Sequence, residues 1–109
     1  MAQTYKVLAQ ADPAATTATT VYTVPAATTA VISSVVIANR SGSAQTFRLY
    51  VRVAAAVLAD TQYLAYDMNL PANDTIFLQL GLTLAATDLL CAYVSAQQVS
   101  INVFGVENT

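Results

Sequence analysis

The chain is 109 residues long, with a net charge of -2, 56% hydrophobic residues and only 9% Asp, Glu, Lys or Arg. That length suits a single domain that buries a core without metal or disulfide staples. The four basic residues, Lys6, Arg40, Arg48 and Arg52, are too few to neutralise a run of phosphates, which argues against nucleic-acid binding.

Soluble domains carry on average roughly a quarter charged residues. A chain this poor in charge is expected to have much of its surface covered. A membrane is the weaker candidate cover, because Thr, Ser, Asn or Asp interrupts every apolar stretch well short of the about 18 residues a spanning helix needs. Met1 to Lys6 also lacks the basic-then-apolar order of a signal peptide. Another protein is the better candidate.

Along the chain, residues 11–20 are an Ala/Thr-rich stretch of low complexity, and residues 1–20 are expected to form an extended arm that orders on a neighbouring subunit or on the larger shell of an assembly. Residues 21–109 read as the folded domain. Val21 to Val24 is a short β-branched and aromatic run stopped by Pro25. Val31 to Asn39 reads as a strand with Val31, Ser33, Val35 and Ile37 on one face and Ile32, Ser34, Val36 and Ala38 on the other, both largely apolar. Residues 39–43 are a turn cluster.

Thr46 to Val53 alternates most cleanly, with Phe47, Leu49, Val51 and Val53 against Thr46, Arg48, Tyr50 and Arg52. Paired with the preceding strand, it would make a hairpin. Residues 54–59 read equally as a helical turn or a loop. Gln62 to Leu70 resumes a strand with imperfect alternation, and residues 71–74 turn. Thr75 to Leu84 carries Ile76, Leu78, Leu80, Leu82 and Leu84 on one parity, with Gly81 as a bulge; that spacing favours strand over a competing Leu-rich helix across 78–90. Leu89 to Ala96 and Val99 to Val106 complete seven or eight strands at roughly ten-residue spacing. The expectation is an all-β fold, an antiparallel β-sandwich or jelly roll.

The chain has no histidine, which removes the commonest general base and zinc ligand. The lone Cys91 sits among Leu89, Leu90 and Tyr93 and reads as a small buried hydrophobe rather than a nucleophile. Asp74 and Asp88 precede strands, where a carboxylate bonds backbone N–H groups. The glycines, Gly42, Gly81 and Gly105, form no phosphate loop. No catalytic, cofactor-binding or metal-binding residue is assigned, no cofactor is expected, and the chain is read as a non-enzyme. Arg and Tyr are the types enriched at interface hot spots. The residues expected to meet a partner are therefore Arg40, Arg48, Tyr50, Arg52, Tyr63 and Tyr66.

The order of pieces adds to this. The runs Val21 to Ala26, Val31 to Ser41, Thr46 to Arg48, Tyr63 to Asp67, Leu82 to Asp88 and Val99 to Gly105 together resemble a family of small proteins encoded among the structural genes of tailed bacteriophages. The resemblance covers about Val21 to Thr109 and carries no active-site motif. It implies a virion component assembled in the host cytoplasm: a capsid decoration (cement) protein first, and alternatively a tail, neck, baseplate or fibre part. Its implied partners are the major capsid protein or other virion proteins, and further copies of itself, by analogy a homotrimer. A carbohydrate-binding host-adhesion module is the reading from a different class, since sandwiches carry such sites on loops.

Overall fold

Among residues 2–109, which the computed structural model describes, nine strands form two antiparallel sheets. They are β1 (Gln3–Ala11), β2 (Thr19–Thr23), β3 (Thr29–Asn39), β4 (Gln45–Arg52), β5 (Tyr63–Leu70), β6 (Thr75–Leu78), β7 (Leu82–Leu84), β8 (Leu89–Val94) and β9 (Val99–Asn108). One sheet has the order β1-β9-β3-β6, with β7 also pairing β3; the other has the order β2-β8-β4-β5.

The pairing is nested. β1 pairs β9, β2 pairs β8, β3 pairs β6 and β7, and β4 pairs β5. The chain is thus one long antiparallel ribbon with its tip at residues 53–62, rolled so that successive pairs alternate between sheets. With β6 and β7 counted as one interrupted strand, this is the eight-strand connectivity of a jelly roll.

The core lies between the sheets. Ile32, Val35 and Ile37 of β3 and Val99, Ile101 and Val103 of β9 meet Phe47 and Leu49 of β4 and Leu90 and Val94 of β8, all almost fully buried. Each such side chain contributes about 1.5–3 kcal/mol relative to exposure. The clean alternation of β4 is realised, with Phe47, Leu49 and Val51 inward and Arg48, Tyr50 and Arg52 on the outer face.

Four expectations are corrected. β3 and β4 do not form a hairpin, because both edges of β3 are taken by β9 and by β6 and β7, while β4 lies between β8 and β5 in the opposite sheet. The residues between them cross from one sheet to the other. Val53 is not inward: the strand ends at Arg52, and Val53 begins a short 3-10 turn, 63% exposed. The strand expected over 75–84 is split at residues 79–81, where Gly81 takes a left-handed conformation (φ 60°), so Leu80 is exposed despite its inward parity.

The fourth concerns residues 1–20, which are not a separate arm over the described residues. β1 completes the edge beside β9, and Leu8 packs on the core. Pro13 is buried, Asp12 pairs with Arg40 at 2.6 Å, and Thr16 N–H donates to the Val94 carbonyl at 2.8 Å. Backbone hydrogen bonds hold the strand where large side chains are scarce.

A buried polar latch fixes β1 further. The Tyr22 hydroxyl donates to Glu107 Oε2 at 2.6 Å, and Lys6 Nζ meets Oε1 at 2.7 Å. These contacts, Lys6 first, hold the Glu107 carboxyl below the usual carboxylate range; burial and then Glu107 push the Tyr22 hydroxyl up. A depressed folded-state pKa means the latch stabilises the fold above the unfolded value of about 4.3 and loses that contribution as pH falls through the folded value. Glu107→Gln is therefore expected to flatten the acid limb of stability below about pH 4. Urea titrations of both proteins between pH 3 and 7 check it, and parallel curves would exclude the latch.

Candidate interaction site

Five of the six residues expected to meet a partner converge on the outer face of the four-stranded sheet. β4 sends Arg48, Tyr50 and Arg52 to that face, opposite Tyr93, Cys91 and Leu89 of β8 respectively. Tyr63 of β5 lies opposite Tyr50, with ring centroids 5.3 Å apart, and Tyr66 stands edge-on to Tyr63 at 4.8 Å. Arg40 is not part of this group; it lies after β3 and pairs with Asp12.

Arg48 is the centre of the arrangement. Its guanidinium carbon lies 4.2 Å from the Tyr66 ring centroid and 4.5 Å from that of Tyr93, so the cation is held between two aromatic rings. Its Nε donates to Asp67 Oδ1 at 2.7 Å and a terminal nitrogen donates to Oδ2 at 3.3 Å, a two-point carboxylate contact. That contact raises the Arg48 pKa and lowers that of Asp67. Asp67 has a left-handed backbone (φ 50°), a conformation Asp tolerates better than most residues, and β5 is irregular against β4 on either side of Leu49. The irregular backbone turns Tyr66 and Asp67 toward Arg48.

Arg52 is also engaged within the chain. Its Nε donates to the Ala56 carbonyl at 2.6 Å and a terminal nitrogen donates to that of Ala55 at 3.2 Å, which ties down the ribbon tip. From the other side Asp88 accepts from the Ala54 N–H at 2.8 Å and the Ala85 N–H at 2.9 Å. Ala54 and Ala55 are both left-handed (φ 51° and 58°), so these side chains hold a strained turn in place. The tip exposes Val53, Val57 and Leu58.

The arginines expected to meet a partner are thus satisfied internally, and the surface they shape is aromatic. Tyr50 is buried at 2% exposure, whereas Tyr66 is 57% exposed. Tyr93 and Asp67 were not among the expected site residues. The parity of Leu89, Cys91 and Tyr93 along β8 carries the signal for the first, but the partner of Arg48 depends on the β5 irregularity and has no sequence signature.

Neither a family model nor a curated protein matches the chain. Among solved structures it is similar to a pentameric capsid protein isolated from metagenomic phage sequences, at 16% identity and a TM-score of 0.32. The likeness covers 97% of this chain and 65% of that one, so the chain spans less than two thirds of that protein's length.

Cys91 lies under the aromatic face, 1% exposed, with its thiol 3.9 Å from the Thr20 hydroxyl. Burial pushes the thiol pKa up. Native protein is expected to react with a thiol reagent far more slowly than protein unfolded in urea; equal rates would contradict the burial. One shallow surface depression is lined by Gln10, Ala11, Asp12, Ser100, Ile101 and Asn102, and another by residues 27–29, Ala86, Asn108 and Thr109. Among the described residues no three Cys, Asp or Glu side chains gather as metal ligands.

Proposed function

We propose that this chain is a structural component of a tailed-phage virion, a capsid decoration protein that binds the shell and stabilises it. The observation that carries an assembly role is the surface. On a chain with 9% charged residues, Val57 (84%), Tyr5 (77%), Phe77 (70%) and Tyr66 (57%) are left exposed. They stand on three surfaces, Tyr66 on the outer face of the four-stranded sheet, Tyr5 and Phe77 on that of the five-stranded sheet and Val57 at the ribbon tip, with few charges to keep other chains away. The virion setting comes from the sequence resemblance over Val21 to Thr109, and the trimer from analogy with decoration proteins.

In this reading the shell contact is the aromatic face around Tyr63 and Tyr66. Arg48 and Arg52 act as positioning residues: they hold rings and ribbon tip in a fixed shape before contact, which lowers the ordering cost of binding. Tyr66→Ala is expected to weaken co-sedimentation with expanded shells about tenfold or more while leaving the circular dichroism and melting temperature close to wild type. Arg48→Ala is expected to weaken it as well, through a misplaced Tyr66, and Arg48→Lys is expected not to rescue it because an ammonium cannot make the two-point contact. Shell binding unchanged in Tyr66→Ala would remove this face from the contact. Localisation by electron cryomicroscopy tests the reading as a whole, since hundreds of copies on the shell support decoration and a few dozen on the tail refute it.

A further inference from the structure

The five-stranded sheet has an outer face of its own, and its middle carries no charged side chain; the Asp12–Arg40 ion pair stands at one end, where Asp12 lies beside Gln10, Ser100 and Asn102. Register places Tyr5 and Val7 of β1 opposite Val106 and Phe104 of β9, Val106 opposite Val31 of β3, and Val36 opposite Phe77 of β6. These seven residues alternate with the buried ones and point away from the core. Between them stand Ser34, Thr83, Asn102 and Gln10, with Gln10 donating to Asn102 at 2.8 Å. Apart from that ion pair, the Asp, Glu, Lys and Arg residues of the chain lie elsewhere. Lys6 and Glu107 are on the inner side, Arg48, Arg52 and Asp67 belong to the opposite face, and the rest are in loops and turns.

We infer that this face binds the same face of a second copy of the chain, sheet against sheet about a two-fold axis. The inference rests on the assembly reading above and names one of its partners. Neutrality makes the face self-complementary, because no like charges are brought together when it meets itself. A nucleic acid or a charged partner gains nothing from it. Its size also suffices. Four strands about 4.8 Å apart and about ten residues long at about 3.3 Å each give roughly 600 Å² per copy. Two copies then bury about 1,200 Å², the lower bound of a stable specific interface. Sheets packed in this way lie about 10 Å apart, close enough for Tyr5, Phe77 and Phe104 to interdigitate with their counterparts. A trimer formed through another surface would be paired into a hexamer.

The test is the mass of the full chain in solution by light scattering and sedimentation equilibrium. Wild type is expected to be even-numbered at about 100 μM, and Tyr5→Lys with Phe77→Lys is expected to weaken association about tenfold or more. Both sites are on open surface, so circular dichroism should be unchanged; Gln97→Lys, in the exposed turn before β9, should leave the mass as in wild type. A monomeric wild type, an odd-numbered mass, or equal effects of Gln97→Lys and the double variant would each overturn the pairing. Shell co-sedimentation separates this from the broader reading: a monomer that binds shells sinks only the pairing, and a paired protein found on no particle sinks only the virion role.

Discussion

Gly105→Ala is expected to destabilise the fold by about 3 kcal/mol or more, a large share of the about 5–15 kcal/mol that holds a domain folded. Gly105 lies in β9 between two partners, opposite Lys6 of β1 on one side and Ile32 of β3 on the other. A methyl group there would fall on the backbone carbonyl oxygen of Val31 and come within 3.0 Å of Ile32 Cα and Leu8 Cδ1. The first two neighbours are backbone and cannot rotate away. Nor can β9 retreat, since hydrogen-bonded strands hold both its edges. The β3 ladder shifts register between Ile32 and Ser34, and this irregularity brings its backbone against Gly105. Gly42→Ala is the matched control: it has open space around it and should change stability by no more than about 0.5 kcal/mol. Denaturant midpoints of the two variants and wild type decide the matter. A Gly105→Ala midpoint near that of Gly42→Ala would mean that β3 and β9 are not packed this closely.

The same irregularity explains part of what sequence pattern reveals and part of what it hides. A period of two works wherever a strand is regular and its faces differ in polarity. β4 meets both conditions, so its inward and outward residues are readable from Gln45 to Arg52. β3 breaks the first condition. Ile32 is inward, but after the shift so are Val35 and Ile37, residues of the opposite parity. The two apolar parities of Val31 to Asn39 therefore suggest a strand covered on both sides, whereas one side is core and the other an open outer face. β1 breaks the second condition. Its inner positions include Lys6, which reaches Glu107, and its outer positions include Tyr5 and Val7, so apolar and polar residues are inverted relative to an ordinary edge strand. Sheet assignment has no local signal at all, because it depends on pairing between residues as far apart as Gln3 and Asn108.

The candidate site was legible to a similar degree. Arg48, Tyr50 and Arg52 share a face by alternation alone, and a tyrosine-bearing strand was visible at 62–70. Their convergence on Tyr63 and Tyr66 follows from β4 pairing with β5, the one adjacent pair that forms a true hairpin. Arg40 is near them in sequence, but the crossover between sheets carries it to Asp12. Arg48 and Arg52 read as groups that meet a partner, yet their acceptors, Asp67 and the carbonyls of Ala55 and Ala56, come from the backbone irregularities of β5 and the ribbon tip.

That crossover depends on one side chain, and Asn39→Asp is expected to destabilise the fold by about 3–5 kcal/mol at neutral pH through it. Asn39 is 3% exposed. Its amide nitrogen serves the carbonyl oxygens of Ser43 at 2.9 Å and of Leu70 and Pro71 at 3.1 Å each. Its oxygen accepts from the Ser41 N–H at 3.0 Å and the Ser41 hydroxyl at 2.7 Å. One side chain thus joins the end of β3, the crossover and the end of β5. Aspartate keeps the acceptor but replaces a donor with a carboxylate oxygen facing three carbonyls. Burial and these dipoles raise the folded-state pKa of such a group above about 3.9, so it disfavours folding only where it is ionised. The loss relative to wild type should accordingly be smallest below about pH 4, where a protonated carboxyl donates one hydrogen bond, and grow as pH rises through the folded value. Taking the difference from wild type at each pH removes the opposite trend contributed by Glu107. A difference that is constant between pH 3 and 7, or under about 1 kcal/mol throughout, would show that the crossover is held by other contacts.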